Sequence, residues 1–234
     1  MANIPKELKE AVYRLEQFPE IKAVAVFGSR ARKSNGTKAD IDLAIVSDKK
    51  IPGKKWFEIE DIIKAASLLP MDMLEYSTAD AKMRAQIKRD GKIIFLNKNW
   101  FINYAQLEDA MSQLRKYLKN TKLAKEEKRS LVIFHFIFVM ELFWKLFKHL
   151  LEEFETISTK SPREAMEQAY VQNWIEDDQN WLDMMKDRNL AVHSYNEELA
   201  AELYAHIKSN FVELEKSFNI VKEKYYDNAI ENII

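Results

Sequence analysis

Residues 26–46 read VFGSRARKSNGTKADIDLAIV, and the fold of the first part of the chain turns on how this stretch is built. Ile21–Phe27 (IKAVAVF) is a β-rich run that stops at Gly28-Ser29. Ile41–Val46 (IDLAIV) is a second one, reached through the turn-rich Ser34-Asn35-Gly36-Thr37. A strand that delivers Gly-Ser to the start of a short helix offers backbone N–H groups and a dipole that favour phosphate. Gly28 lets a ligand approach the backbone, and the Ser29 hydroxyl has a phosphate oxygen within its chemistry. Asp40 and Asp42 stand two apart at the head of a strand, so both project to one face. Two convergent carboxylates suit Mg²⁺, which takes one or two carboxylates plus substrate phosphates. Asp72, in Met71–Tyr76 (MDMLEY), is the candidate third carboxylate on a neighbouring strand, with Glu75 and Asp80 as close competitors. Such a triad is able to hold two metals. The bland alternative is a Gly-Ser turn beside solvated strand-end charges. Arg30 and Arg32 suit either phosphates or surface ion pairs.

Working outward, Ile4–Gln17, Trp56–Leu68 and Thr78–Lys88 read as helices and Lys92–Leu96 as a fourth strand. Together these predict a small mixed-sheet domain over residues 1–98. The rest, 99–234, reads as an all-α, up-and-down bundle. Phe101, Tyr104, Leu107, Met111, Leu114 and Leu118 step by three and four. Residues 118–130 read as a charged connection and Leu131–Glu153 as a long apolar helix. Ser161-Pro162-Arg163-Glu164 combines a capping box with proline at the first helical position. Asp178–Leu190 and a last helix opening at Asn196-Glu197-Glu198 complete the set. The fold class is therefore α+β.

Composition divides at the same place. The four glycines (28, 36, 53, 91) and four of the five prolines precede residue 98, whereas all four histidines follow it. Residues 1–98 hold 19 Lys/Arg and 14 Asp/Glu, a charge of +5; the remainder holds 17 and 23, a charge of −6. That balance suits an anionic small molecule and argues against duplex DNA. The chain has no cysteine, which excludes disulfides and cysteine-ligated zinc or iron–sulfur centres. Leu131–Phe147 (LVIFHFIFVMELFWKLF) imitates a membrane span, but His135, Glu141 and Lys145 interrupt it, so a buried bundle helix is expected and no membrane partner. The opening residues carry no signal-peptide pattern. A soluble, cytoplasmic protein is the expectation.

Gly-Ser, ten residues, then Asp-x-Asp resembles the signature of the minimal nucleotidyltransferases of the DNA polymerase β-like superfamily. The resemblance covers residues 15–98. It implies Mg²⁺-dependent transfer of a nucleoside monophosphate, usually AMP from ATP, with pyrophosphate leaving. It places Gly28, Ser29 and Arg30 at the nucleotide and Asp40 and Asp42 at Mg²⁺. Asp72 would be the third acidic residue, assisting deprotonation of the acceptor. Lys33 and Ala39 depart from the glycine and serine that the family often has, without removing a metal ligand.

A second constellation lies in residues 181–199, WLDMMKDRNLAVHSYNEEL. On one straight helix Arg188 and His193 point about 140° apart, whereas Asn189 and His193 share a face, so Asn189 is a candidate to orient the imidazole. An arginine for phosphate and a histidine near neutral pKa suffice for metal-free RNA cleavage through the 2′-hydroxyl. A helix-end arginine, a partly exposed histidine and a packing tyrosine are the plain alternative. RNLAVHSYNEELAAELY, with MELFWKLFKHLLEE, SPREAME and WLDMMKD before it, resembles the nucleotidyltransferase substrate-binding protein family, a branch of the HEPN proteins. The motif takes the form Arg-x4-His-x-Tyr at Arg188, His193 and Tyr195; His135 stands where an acidic residue is expected. The resemblance implies a homodimer and a ribonuclease site of Arg188 and His193. It also implies a toxin–antitoxin-like pair in one chain, with Tyr195 as the AMP acceptor. The competing expectation is an aminoglycoside-type adenylyltransferase whose helical domain holds a small acceptor.

Overall fold

The structure, a computed structural model, describes residues 5–32, 40–47, 49–66, 69–191 and 197–227. Two compact units emerge, one within Met1–Ile102 and one over Asn103–Tyr226.

The first unit runs α1 (Lys6–Tyr13), β1 (Ile21–Phe27), α2 (Gly28–Ala31), β2 (Ile41–Ser47), α3 (Gly53–Lys64), β3 (Met71–Glu75), α4 (Ala81–Asp90) and β4 (Lys92–Leu96). The strands form one mixed sheet in the order β3-β2-β1-β4. β1 is antiparallel to β2 and β4, and β2 is parallel to β3. Strand periodicity sorts the side chains. Val24, Val26, Ile41, Leu43 and Ile45 enter one core with Leu8, Val12 and Leu15 from the N-terminal segment and Ile59 and Ile63 from α3. Asp42 and Ala44 alternate onto the opposite face, so the carboxylate is not drawn into that core. α4 starts later than the sequence suggests, because Asp80 caps it by accepting from Met83 N at 2.7 Å and residues 76–78 form a separate 3-10 turn.

The second unit contains most of α5 (Asn99–Lys119), then α6 (Lys125–Leu150), α7 (Pro162–Val171), α8 (Asp178–Ala191) and α9 (Glu197–Val221). α6 is the central helix. It packs on α7, α8 and α9 and buries Val132, Phe136, Val139, Met140, Phe143, Leu146 and Phe147. Phe143 meets Trp181 of α8 edge-on, with centroids 5.0 Å apart. α6 also begins earlier than expected. Residues 125–130 are helical, since lysine and glutamate are good helix formers and nothing in KEEKRS breaks the helix. Among the described residues, Lys125–Glu155 is the one helix long and apolar enough to cross a membrane; 44% of its most apolar stretch is buried inside the unit, while Phe134, Phe138 and Phe154 are exposed. The expected class is observed: a small mixed sheet followed by a helical region, α+β.

Candidate functional site

The end of the sheet where β1 stops and β2 and β3 start gathers the first constellation. Phe27 faces Asp42 across the β1–β2 ladder, and Asp42 faces Asp72 across the parallel β2–β3 ladder. Asp42 and Asp72 are therefore neighbours on adjacent strands, and Asp40 lies two residues upstream on the Asp42 side of the pleat. Just beyond Phe27, Gly28 has φ +70°, a conformation that side chains with a Cβ rarely adopt. A Cβ there would lie 2.1 Å from Asp42 Oδ2. Glycine is thus required twice, by the turn and by the carboxylate resting over it. α2 is a single turn of four residues, so its dipole is small and the backbone N–H groups of the turn are what remains for an anion.

Electrostatics mark Asp42 out. Burial raises its pKa above the ordinary aspartate value, the like charges of Asp72 and Asp40 raise it further, and Arg32 offsets part of this. A carboxylate whose charge is opposed by burial and by two like charges is suited to a cation, and an all-oxygen donor set fits Mg²⁺. Among the described residues, no group of three His, Cys, Asp or Glu is drawn close enough to hold a metal ion together. Mg²⁺ needs only one or two protein carboxylates and completes its shell with phosphate oxygens. The competitors of Asp72 are occupied: Asp80 caps α4, and buried Glu75, at the far end of β3, accepts from Ile51 N at 2.9 Å and Ser77 Oγ at 2.8 Å.

The two arginines differ in burial. Arg30 is buried, only 5% exposed. Arg32 is the cation that acts on Asp42, and it donates to Asp90 Oδ2 at 2.7 Å. Arg89 and Arg32 together hold the Asp90 pKa down to about 2, the Arg89 hydrogen bond being the larger cause.

In the helical unit, Arg188 donates from Nη2 to Glu141 Oε2 of α6 at 2.7 Å and from Nη1 to Asn189 Oδ1 at 2.9 Å. Asn189 accepts from its neighbour through Oδ1, while its expected contact with the His193 imidazole falls outside the described residues. His193 and Tyr195 lie outside the described residues. Arg188 borders a cavity of about 560 Å³ shared with Glu141, Trp144, Arg163, Gln179 and Lys186. Burial opposes the charge on Glu141, but the nearby Trp144 indole, Lys145 and Arg188 outweigh it, and its pKa is lowered. Glu141 is the residue that sequence reasoning missed; its signal was a lone carboxylate inside an apolar run. His135 stacks on Tyr117 with centroids 4.9 Å apart, and its pKa is lowered by burial and by Lys116.

Residues 102–222 match the family described as nucleotidyltransferase substrate binding protein like. Residues 9–100 match the family described as polymerase beta, nucleotidyltransferase. Among curated proteins, none matches. Among solved structures, a protein of Thermus thermophilus is 25% identical, with a TM-score of 0.46, over 50% of this chain and 98% of its own. The tri-AMPylated HEPN toxin of Shewanella oneidensis, solved in complex with the MNT antitoxin, is 17% identical, with a TM-score of 0.46, over 55% of this chain and 100% of its own. Spectinomycin adenyltransferase AAD(9) of Enterococcus faecialis is 12% identical, with a TM-score of 0.33, over 89% of this chain and 100% of its own. With TM-scores under 0.5, these likenesses carry no inference about chemistry.

Proposed function

Because the chain belongs to the nucleotidyltransferase substrate binding protein like family and carries a polymerase-β-type nucleotidyltransferase domain ahead of that match, we propose that it is a Mg²⁺-dependent adenylyltransferase that moves AMP from ATP to a hydroxyl. The domains are taken as 1–98 for transfer and 99–234 for a HEPN-like bundle. The observation that carries the reading is the Asp42 carboxylate lying against Gly28, with Asp40 and Asp72 in electrostatic range.

Asp40 and Asp42 are the residues to hold the ion, with Asp72 beside them. When bound, Mg²⁺ supplies positive charge to the triphosphate and its leaving group. The turn at Gly28-Ser29 seats the phosphates, and Arg32 replaces Arg30 as the cation best placed for them. The acceptor oxygen attacks the α-phosphorus, its proton passes to Asp72, and the bond to the β-phosphate oxygen breaks so that pyrophosphate leaves.

The acceptor is Tyr195 in this reading, modified within the chain or by a second copy. AMP two residues from His193 adds bulk and negative charge where an RNA phosphate would enter, silencing a ribonuclease site of Arg188 and His193. Phe134 and Phe138, 53% and 48% exposed, share the α6 face of Glu141 and support pairing of two copies through the helical domain. A cationic aminoglycoside acceptor is disfavoured, because three of the side chains around the 560 Å³ cavity are Arg163, Lys186 and Arg188 against the single carboxylate of Glu141. We place the protein in the cytoplasm.

Incubation with Mg²⁺ and ATP, followed by peptide mass spectrometry, tests the acceptor. AMP on Tyr195, absent from Asp40→Asn, is the expected result; AMP found only on an added aminoglycoside would sink this acceptor. Ribonuclease activity is read separately in the unmodified Asp40→Asn protein, which is expected to cut RNA.

A further inference from the structure

The start of α6 carries Lys125, Lys128 and Arg129 at positions i, i+3 and i+4, which one helix face presents together. With Ala201 and Tyr204 of α9 they line a separate cavity of about 240 Å³. Arg129 is 6% exposed, and its Nη1 donates to the Glu197 carbonyl at 3.1 Å, with the Glu197 carboxylate at 3.8 Å. Its remaining N–H groups have no acceptor among the described residues. Neither Lys125 nor Lys128 has a carboxylate partner among the described residues. Glu126 and Glu127 do not neutralise the face, because helix geometry turns them about 100° and 200° away from Lys125.

Lys125 and Lys128 oppose the macrodipole at this helix N-terminus, an effect that Glu126 and Glu127 of the same turn offset in part. Ala124, at the cap position, makes no side-chain hydrogen bond to relieve the free N–H groups of the first turn. An anion in the cavity would answer both defects. The buried guanidinium offers directed donors, the lysines add charge, the Tyr204 hydroxyl adds one more donor, and Ala201 leaves room.

We propose that this cavity is a phosphate-binding site, distinct from the Gly28–Asp42 site and from the Arg188 cavity. Its ligand is the phosphate of a nucleotide or of a single-stranded RNA backbone. No bond is made or broken there.

The test uses the full chain and its Lys125→Gln/Lys128→Gln variant, titrated with inorganic phosphate, AMP and a single-stranded oligouridylate. The variant is expected to bind the oligouridylate roughly tenfold more weakly at low salt, and its slope of log K against log salt is expected to shrink by about 1.4. Weakened binding of AMP and phosphate as well identifies a nucleotide ligand; weakening confined to the oligonucleotide identifies the backbone. The arginine variant Lys125→Arg/Lys128→Arg is expected to restore affinity. Equal affinity of wild type and glutamine variant for all three probes overturns the proposal, as does failure of the arginine variant to restore binding. Because the lysines lie outside the transfer site, label transfer from ATP is expected to be unchanged in the variant. Failure of the transfer reading would show in the wild-type protein instead.

Discussion

Gly28 and Asp42 interlock: the Cβ that Gly28 lacks would sit 2.1 Å from Asp42 Oδ2. A turn with φ +70° and the carboxylate above it therefore form one unit. Gly28→Ala forces the backbone or Asp42 to move, and the left-handed conformation alone costs about 1–2 kcal/mol. Chemical denaturation is expected to show at least that loss, and adenylyl transfer is expected to fall with it. A variant as stable and active as wild type would show that the turn and the carboxylate are independent.

Asp42 also predicts a separation of stability from activity. Its folded pKa is raised, so the folded state binds protons more readily than the unfolded chain. Stability from this group is greatest at low pH and is lost as pH rises from the ordinary aspartate value through the folded pKa. At neutral pH, Asp42→Asn is expected to raise Tm while lowering kcat/KM at least a hundredfold, about 2.7 kcal/mol of transition-state stabilisation. The Tm gain is expected to shrink in acid, and Mg²⁺ is expected to raise Tm in the wild type more than in the variant. A fall in Tm at pH 7 would contradict the electrostatic picture.

Arg30 and Arg32 are expected to fail in different ways. Arg30 is buried, so Arg30→Ala is expected to lower stability by about 1–3 kcal/mol, as loss of a buried hydrogen-bonding group does. Arg32 acts on Asp42 from a more exposed position, so Arg32→Ala is expected to leave Tm nearly unchanged and to lower kcat/KM for ATP roughly tenfold. Denaturation curves and steady-state kinetics on both variants check this, and the reverse pattern would return the phosphate role to Arg30.

The Arg188–Glu141 pair links α8 to α6 at 2.7 Å with both side chains about 30% exposed. A double-mutant cycle of Arg188→Ala and Glu141→Ala is expected to give a coupling of about 0.5–1 kcal/mol at neutral pH. The Glu141 pKa is lowered, so its contribution is present above the ordinary glutamate value and is lost as pH falls through the folded one. Coupling that grows in acid would contradict this assignment.

How much of this was legible beforehand depended on whether the signal was local. Strands ending at Gly28 and starting at Ile41 were readable, because alternation and turn residues are properties of adjacent positions. The shared face of Asp40 and Asp42 followed from strand period. The pairing of Asp42 with Asp72 needed the parallel register of β2 and β3, which no spacing encodes. The burial of Arg30 and exposure of Arg32 depended on where a single helical turn packs. Charged residues 125–130 read as a connection by composition, although they favour helix. Glu141 was visible as an oddity in an apolar run, but its partner, 47 residues away, was not.

Parallel incubations with ATP labelled at the α- or the γ-phosphate test the central claim, nucleotidyl transfer at Gly28, Asp40 and Asp42, most directly. The account predicts Mg²⁺-dependent capture of the α-label only, release of pyrophosphate in equal amount, and loss of both in Asp42→Asn. Capture of the γ-label, or α-label capture that persists in Asp42→Asn, would contradict it.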